Sequence, residues 1–175
     1  MGIFVPQDRP AEPKSGKCSL HFAPNRKRFM TYFDVFEKCH DRAVEERSAP
    51  DSKRLAFNIN FWSDVGECPQ KRDLRHEYWY IMADIPEMTA CEECFLDVVY
   101  PELVADAEAR AAAGGEDKVN SVARNFYHKP RLIKQDTACQ MADPWMRQLF
   151  KTACRRGYGV WYMDAKVRER LDSSK

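Results

Sequence analysis

The sequence lacks a surplus of either charge and lacks a long apolar run. Lys and Arg number 28 against 27 Asp and Glu, so the formal net charge is +1. A chain this close to neutral has no global attraction to nucleic acid or to an anionic membrane. No stretch approaches the roughly 18–20 apolar residues of a membrane span. We therefore expect no membrane association and no binding that depends on overall charge.

The short motifs of several enzyme classes are also missing. The chain contains no G-x-x-x-x-G-K-[ST], no G-x-G-x-x-G, no H-E-x-x-H and no G-x-S-x-G. It begins without a basic segment followed by an apolar one, so we expect no secretory signal. These absences favour a non-enzymatic protein of the cell interior, nuclear or cytoplasmic.

Cysteine, in contrast, is abundant. Seven cysteines in 175 residues is an odd number, which argues against a complete framework of disulfides. In a reducing compartment, clustered thiols bind metal ions more often than they form disulfides. A secreted, disulfide-containing, effector-like protein is the less favoured alternative.

The stretch "TACEECF" places Cys91 and Cys94 two residues apart. In a CxxC pair the backbone turns tightly enough for both thiolates to reach one ion at about 2.3 Å. A redox pair is disfavoured because the intervening Glu92 and Glu93 would raise a thiol pKa. Those two carboxylates are interpreted as a solvated face. Two plain structural thiols are a further alternative.

A structural zinc needs four ligands, so Cys91 and Cys94 need partners. The stretch "CSLH" offers Cys18 and His21 at the same spacing, and the four residues would form a Cys3His site for Zn²⁺. Cys68 and Cys139 are the reserve ligands, because each lies in a polar context where a thiol has no packing role. Cys39 and Cys154 are predicted to pack as small apolar side chains.

The pattern of apolar residues predicts a mainly α-helical protein with a small β element, an α+β fold stapled by zinc. We expect an extended N-terminal arm over residues 1–17 and a single domain over 18–175. Helices are predicted over 26–47, 51–64, 95–113, 144–156 and 164–171, with one strand over 77–82 and a possible strand over 123–127. Asp51 and Asp143 are predicted helix caps, and Gly157 and Gly159 are predicted to end the helix over 144–156. Pro101 is predicted to kink the helix over 95–113 or to open a second helix within it. The expected buried stripes are Phe29, Phe33, Phe36, His40 and Ala43; Leu55, Ile59 and Trp62; and Trp145, Leu149 and Ala153.

Three longer stretches, "WYIMADIPEMTACEECFLDVVYPEL", "CQMADPWMRQLF" and "CSLHF", resemble a group of filamentous-fungal proteins that share these elements. The resemblance covers most of the chain from about Cys18 onward and implies no particular activity. Locally, "TACEECF" looks like the second knuckle of treble-clef fingers such as ZZ domains. In those fingers a cysteine pair opens a helix just after a short strand, so the likeness implies a metal knuckle.

Two functions remain open. The first is a zinc-binding module that interacts with another protein. The second is nucleic-acid binding through basic segments interleaved with aromatics, at residues 25–29, 71–80 and 124–134. The simpler interpretation of these segments is that the cations cover exposed faces while the aromatics fill the core. The near-zero net charge favours that interpretation.

Overall fold

The computed structural model describes residues 28–112 and 121–172. The chain divides into two compact units, Met1–Gly66 and Glu67–Lys175, because each unit buries its own group of apolar side chains. The arm predicted over 1–17 lies outside the described residues, and the single domain predicted over 18–175 stays a prediction. Within the described ranges, every helix is too short or too polar to span a lipid bilayer.

The first unit contains a pair of helices, α1 (Arg28–Glu45) and α2 (Ser52–Asp64). Asp51 caps α2 as predicted, because its carboxylate accepts hydrogen bonds from the backbone N–H groups of Lys53 and Arg54, each at 3.0 Å. These bonds satisfy two of the four amides that have no partner within the helix. Leu55 and Ile59 are buried and Trp62 packs half-buried against them, which confirms the predicted stripe of α2.

The buried stripe of α1 differs from the predicted one. Tyr32 is buried, whereas Phe33 is 52% exposed and His40 is also exposed. Tyr32 can occupy the core because its hydroxyl lies 2.9 Å from Ser63 Oγ, so the polar end of the ring is paired. The helical period was therefore predicted correctly and the face only in part, since Ala43 is buried and Phe36 packs half-buried against the core as expected. The side chain of Phe29 lies outside the described part.

The second unit contains a three-stranded antiparallel sheet in the order β2-β1-β3. Its strands are β1 (Glu77–Ile81), β2 (Thr89–Ala90) and β3 (Arg131–Ile133). Tyr78 pairs with Leu132, and Tyr80 pairs with Ala90. The sequence prediction of β1 is confirmed.

The predicted strand over 123–127 is wrong. Residues Ala123–Asn125 form a 3₁₀ turn, and only Phe126 makes an isolated bridge, to Met82. The turn is closed by hydrogen bonds from the Asn125 N–H to the Val122 carbonyl (3.2 Å) and from the Phe126 N–H to the Ala123 carbonyl (3.3 Å). These local bonds are those of a 3₁₀ helix, so the residues are not extended as a strand requires.

A run of three helical segments follows β2 directly. It comprises α3 (Glu92–Cys94), a π-helical turn (Phe95–Val99) and α4 (Tyr100–Ala112). The widened turn is explained by Pro101, which has no N–H and whose ring would clash with the carbonyl four residues earlier. The predicted helix with a disturbance at Pro101 is therefore confirmed, and the disturbance is a π turn.

Two C-terminal helices complete the unit, α5 (Pro144–Arg156) and α6 (Val160–Asp172). Asp143 caps α5 as predicted, and Gly157 ends it with φ of +66°, a left-handed conformation that glycine adopts at little cost. The prediction for Trp145 is wrong, because this side chain is 39% exposed with Arg170 stacked over its ring. Helix α6 begins four residues before its predicted start.

The main core lies between the sheet and these helices. Phe126 contacts both Phe95 and Phe150 edge-on, at centroid distances of 6.2 and 5.7 Å. Tyr80 stacks on Phe95 at 3.8 Å. The described chain is thus mostly helical with a small antiparallel sheet, as the α+β prediction states.

Candidate metal centre

Four cysteines from three separate segments of the second unit meet at one point. The sulfur atoms of Cys68, Cys91, Cys94 and Cys139 all lie within 4.8 Å of one another. The Cys94 and Cys68 sulfurs are 3.5 Å apart, and those of Cys139 and Cys91 are 3.7 Å apart. A disulfide would bring two sulfurs to about 2.05 Å. All four residues are therefore free thiols, and the group can hold a metal ion.

The spacing of the sulfurs matches a single tetrahedral ion. Four sulfurs at about 2.3 Å from a central zinc form a tetrahedron with edges of about 3.8 Å. The two sulfur–sulfur distances, 3.5 and 3.7 Å, lie close to that edge length. Since all six sulfur pairs lie within 4.8 Å, a contraction of about 1 Å or less would bring the remaining pairs to this edge length.

The end of the sheet positions Cys91 and Cys94. Strand β2 ends at Ala90, and Cys91 is the N-cap of α3. The Cys91 sulfur accepts the backbone N–H of Cys94 at 3.5 Å, as a Ser or Asp oxygen does at an ordinary N-cap. The positive end of the helix dipole also favours negative charge on this sulfur.

Two chain segments, residues 68–74 and 137–139, pair side by side and bring Cys68 and Cys139 to the same place; we call them the ribbon. Leu74 and Thr137 pair in an isolated antiparallel bridge beyond the end of β1 and β3. Nearer the site, the Cys139 N–H donates to the carbonyl of Gln70 at 3.2 Å. Thr89 Oγ1 donates to the Ala138 carbonyl at 2.7 Å and ties the ribbon to β2. The positions of Cys68 and Cys139 are therefore set by long-range pairing.

Each of the four sulfurs accepts an N–H hydrogen bond. The donors are the backbone amides of Gln70 to Cys68 (3.3 Å), Cys94 to Cys91 (3.5 Å) and Cys91 to Cys139 (3.4 Å), and the guanidinium of Arg147 to Cys94 (3.1 Å). Hydrogen bonds to sulfur favour the thiolate over the thiol. The polar surroundings therefore suit the anionic form that binds metal.

Hydrogen bonds among the thiols move their pKa values apart. The pKa of Cys68 is lowered because its sulfur accepts hydrogen bonds from Cys139, Cys91 and Cys94. The pKa of Cys139 is raised by its hydrogen bond to Cys68, and burial adds to the rise. The pKa of Cys91 is raised by its hydrogen bond with Cys139 and by that with Cys68. Negative charges this close disfavour one another, so the loss of all four thiol protons would require a cation at the centre of the group.

Glu93 is a structural partner of the site. Its Oε2 accepts the backbone N–H of Cys68 at 2.6 Å, across 25 residues of sequence. The interpretation of both glutamates as a solvated face is therefore wrong for Glu93, whereas Glu92 is exposed. Glu93 links the CxxC turn to the segment that carries Cys68.

Glu93→Ala is expected to lower the free energy of unfolding by about 1–3 kcal/mol, because the amide of Cys68 loses a charged acceptor. Thermal unfolding of the metal-loaded protein measures the loss. Glu92→Ala is the matched control, since it removes an exposed neighbour of the same type, and its effect should stay within about 0.5 kcal/mol. Equal effects of the two variants would show that the bond to Cys68 adds nothing.

The structure brings Cys91 and Cys94 together with both reserve ligands, Cys68 and Cys139. Cys18 and His21 lie outside the described residues, so their role as ligands stays a prediction. The signal that pointed to Cys68 and Cys139 was weak, a thiol in a polar context. Spacing could not pair them, because they are separated by 71 residues and meet through the ribbon.

The remaining described cysteines have other surroundings. Cys39 packs against the core of the first unit, as predicted. Cys154 packs against the main core, and burial raises the pKa of its thiol to about 12. It is thus a poor nucleophile at neutral pH, in keeping with the predicted packing role.

The sheet brings two of the basic segments side by side, since β1 belongs to 71–80 and β3 to 124–134. Some of their cations are paired: Arg75 binds Asp136 through two bonds, of 2.8 and 3.1 Å. Trp79 and Phe126 are buried in the core, although Tyr78 is 65% exposed. Nucleic-acid binding through these segments stays a prediction.

The chain matches no protein-family model, no curated protein and no solved structure. The resemblance to the filamentous-fungal group and to treble-clef fingers therefore stays a prediction. The function of the protein has to be inferred from the geometry of the cysteine group and from the exposed side chains.

Proposed function

We propose that this protein is a non-enzymatic protein-interaction module whose second unit is stabilised by a structural zinc ion. The observation that carries the proposal is the group of four thiols within 4.8 Å. Its ligands would be Cys68, Cys91, Cys94 and Cys139.

The donor set favours zinc. Four thiolates in a tetrahedron are typical of zinc or of iron bound by sulfur, and hard ions such as Mg²⁺ and Ca²⁺ prefer oxygen ligands. Sulfur atoms 3.5–3.7 Å apart suit one small ion at their centre. Zinc is also without redox chemistry, which fits a site with a structural role.

The same donor set favours a structural site over a catalytic one. A catalytic zinc has three protein ligands and an open position for water, whereas four cysteines fill the tetrahedron. Cys91, Cys94 and Cys139 are buried, which limits access to the ion. In this proposal no coordination position is left for Cys18 or His21.

The unpaired cysteines are also relevant to the cellular compartment in which the protein is located. All six cysteines of the described chain are unpaired, including Cys39 and Cys154 outside the group. Reduced thiols persist in the cytosol and nucleus. These observations support an intracellular location over the secreted alternative.

Exposed aromatic side chains support the interaction part of the proposal. On α2, Phe57 is 69% exposed and Phe61, one turn further, is 42% exposed. On α6, Trp161 is 73% exposed. Aromatic residues are enriched at the centres of protein interfaces, and water contact with such side chains is unfavourable. A protein partner would remove this apolar surface from water.

Metal analysis tests the zinc half of the proposal. Protein purified without added chelator is expected to contain about one zinc per chain, as one four-cysteine site requires. Iron in place of zinc would overturn the choice of metal, and protein without stoichiometric metal would overturn the site.

Capture of a binding partner from cell extract, compared between the wild type and two variants, tests the proposed protein interaction. Phe57→Ser is expected to lose a binding partner that the wild type captures from its native cell extract, because the exposed ring is removed and the fold is unchanged. Asn60→Ser, an exposed polar position on the same helix, is the control and should retain the partner. A partner retained equally by both variants would exclude this surface.

A further inference from the structure

We propose that Arg147 is the positioning residue for Cys94, and that its hydrogen bond to this sulfur controls how slowly the metal leaves the site. The inference rests on the proposed zinc site. The Cys94 sulfur accepts an N–H hydrogen bond from a side chain. The N–H bonds described above for the other three sulfurs come from backbone amides.

Arg147 makes three bonds that join separate parts of the second unit. Its Nη2 donates to Cys94 Sγ at 3.1 Å, and its Nη1 donates to Asp97 Oδ2 at 2.6 Å. Its Nε donates to the Met141 carbonyl at 2.7 Å. The guanidinium is planar and rigid, so two of these bonds fix the direction of the third. Asp97 and Met141 thereby aim the Nη2 donor at the sulfur.

The partners of Arg147 lie close to the ligands in sequence. Asp97 follows Cys94 by three residues, and Met141 follows Cys139 by two. Arg147 itself is on α5, which carries no cysteine of the site. One side chain thus ties both halves of the site to a helix of the core.

Charge gives this contact more weight than a neutral hydrogen bond. Four thiolates around a divalent cation carry a net charge of −2, and this charge lies in a largely buried place. The guanidinium is permanently cationic and is drawn to the sulfur, since charge-assisted hydrogen bonds are stronger than neutral ones. The other three sulfurs receive backbone donors, which substitution leaves in place.

Removal of this donor should therefore make Cys94 the most labile ligand. A ligand that leaves the metal first becomes the first to react with an alkylating reagent. In the wild type, the sulfur expected to react first is that of Cys68, which is half-buried while the other three are buried. The order of reaction thus distinguishes the loss of one bond from a general loosening of the site.

The experiment compares Arg147→Gln with Arg156→Gln, a control on the same helix whose guanidinium contacts the Tyr158 hydroxyl. Zinc release to a chromophoric chelator should be about 10-fold faster in Arg147→Gln, as is usual when a residue supporting a ligand is lost. The control should release zinc at the wild-type rate. Alkylation of the zinc-loaded proteins, mapped by mass spectrometry, should shift from Cys68 to Cys94 in Arg147→Gln alone.

A wild-type release rate in zinc-loaded Arg147→Gln would overturn the inference and leave the zinc site intact. If that variant does not fold, Arg147→Lys and Asp97→Asn decide the question. Faster release with early alkylation of Cys94 in both supports the inference, and unchanged release in both overturns it. Wild-type protein that binds no zinc would instead remove the proposed function itself.

Discussion

Cys139→Ser is expected to abolish stoichiometric zinc binding and to lower the melting temperature by about 10 °C or more. The variant leaves three thiolates and a weak hydroxyl ligand, so the ligand set loses one negative charge and one strong metal–sulfur bond. Zinc binding to a structural site provides roughly 10–16 kcal/mol of folding free energy in small peptides. Loss of even a quarter of the lower value, about 2.5 kcal/mol, would shift the melting temperature by ~10 °C at about 4 °C per kcal/mol, and loss of the whole contribution would shift it further.

Thermal unfolding and metal analysis of the same preparations measure this effect. Cys68→Ser should behave as Cys139→Ser does, because both are single ligands held by the ribbon. Cys154→Ala is the control for the loss of a thiol, since this residue packs against the core outside the group of four. It should keep its zinc and lose only about 1 kcal/mol of packing.

Cys18→Ser separates the two possible ligand sets. We expect it to keep its zinc, because the four cysteines of the second unit fill the tetrahedron. Zinc lost from Cys18→Ser but kept by Cys139→Ser would instead establish Cys18 and His21 as the partners of Cys91 and Cys94.

Local chemistry made part of the fold predictable from the sequence. Asp51 and Asp143 were identified as helix caps because a carboxylate at that position accepts backbone N–H groups only a few residues away. Gly157 was identified as a helix end for a similar local reason. Features that depend on neighbours within four residues can be read directly from the sequence.

Features that depend on distant partners could not be predicted in this way. The face that α1 buries depends on Ser63, which pairs with the Tyr32 hydroxyl across 31 residues. Strand β3 was missed because it is three residues long and exists only through pairing with β1. The π turn before Pro101 was predictable in part. The proline predicts that the regular helix is interrupted, whereas packing against distant residues decides that the interruption is a π turn.

The residues of the candidate metal centre were likewise predictable where they depend on local spacing and not where they depend on distant partners. Cys91 and Cys94 were found from their spacing, because a CxxC turn is a local structure. Cys68 and Cys139 could be named only as reserve ligands, since the ribbon through Leu74 and Thr137 brings them together. Glu93 was misinterpreted because its partner, the amide of Cys68, is 25 residues away.

Metal removal is expected to loosen the second unit and to leave the helix pair of the first unit protected. Without the ion, the segments that carry Cys68, Cys91 and Cys139 are joined near the site by a few hydrogen bonds, such as that from Thr89 to Ala138, and by core packing. The second unit should therefore exchange amide hydrogens faster over residues 68–74, 89–99 and 137–150. The core formed by Tyr32, Leu55 and Ile59 contains no ligand of the proposed site.

Hydrogen exchange of the full chain, followed by mass spectrometry with and without a strong chelator, measures both units in one sample. The amides around Leu55 and Ile59 serve as the internal control, and their protection should not change. Protection around Cys91 and Cys139 should fall by at least about 10-fold and return when zinc is restored, because the metal contributes folding free energy to these segments. Equal protection with and without metal around Cys91 would mean that hydrogen bonds and core packing alone hold the four cysteines, and the ion would then have no structural role.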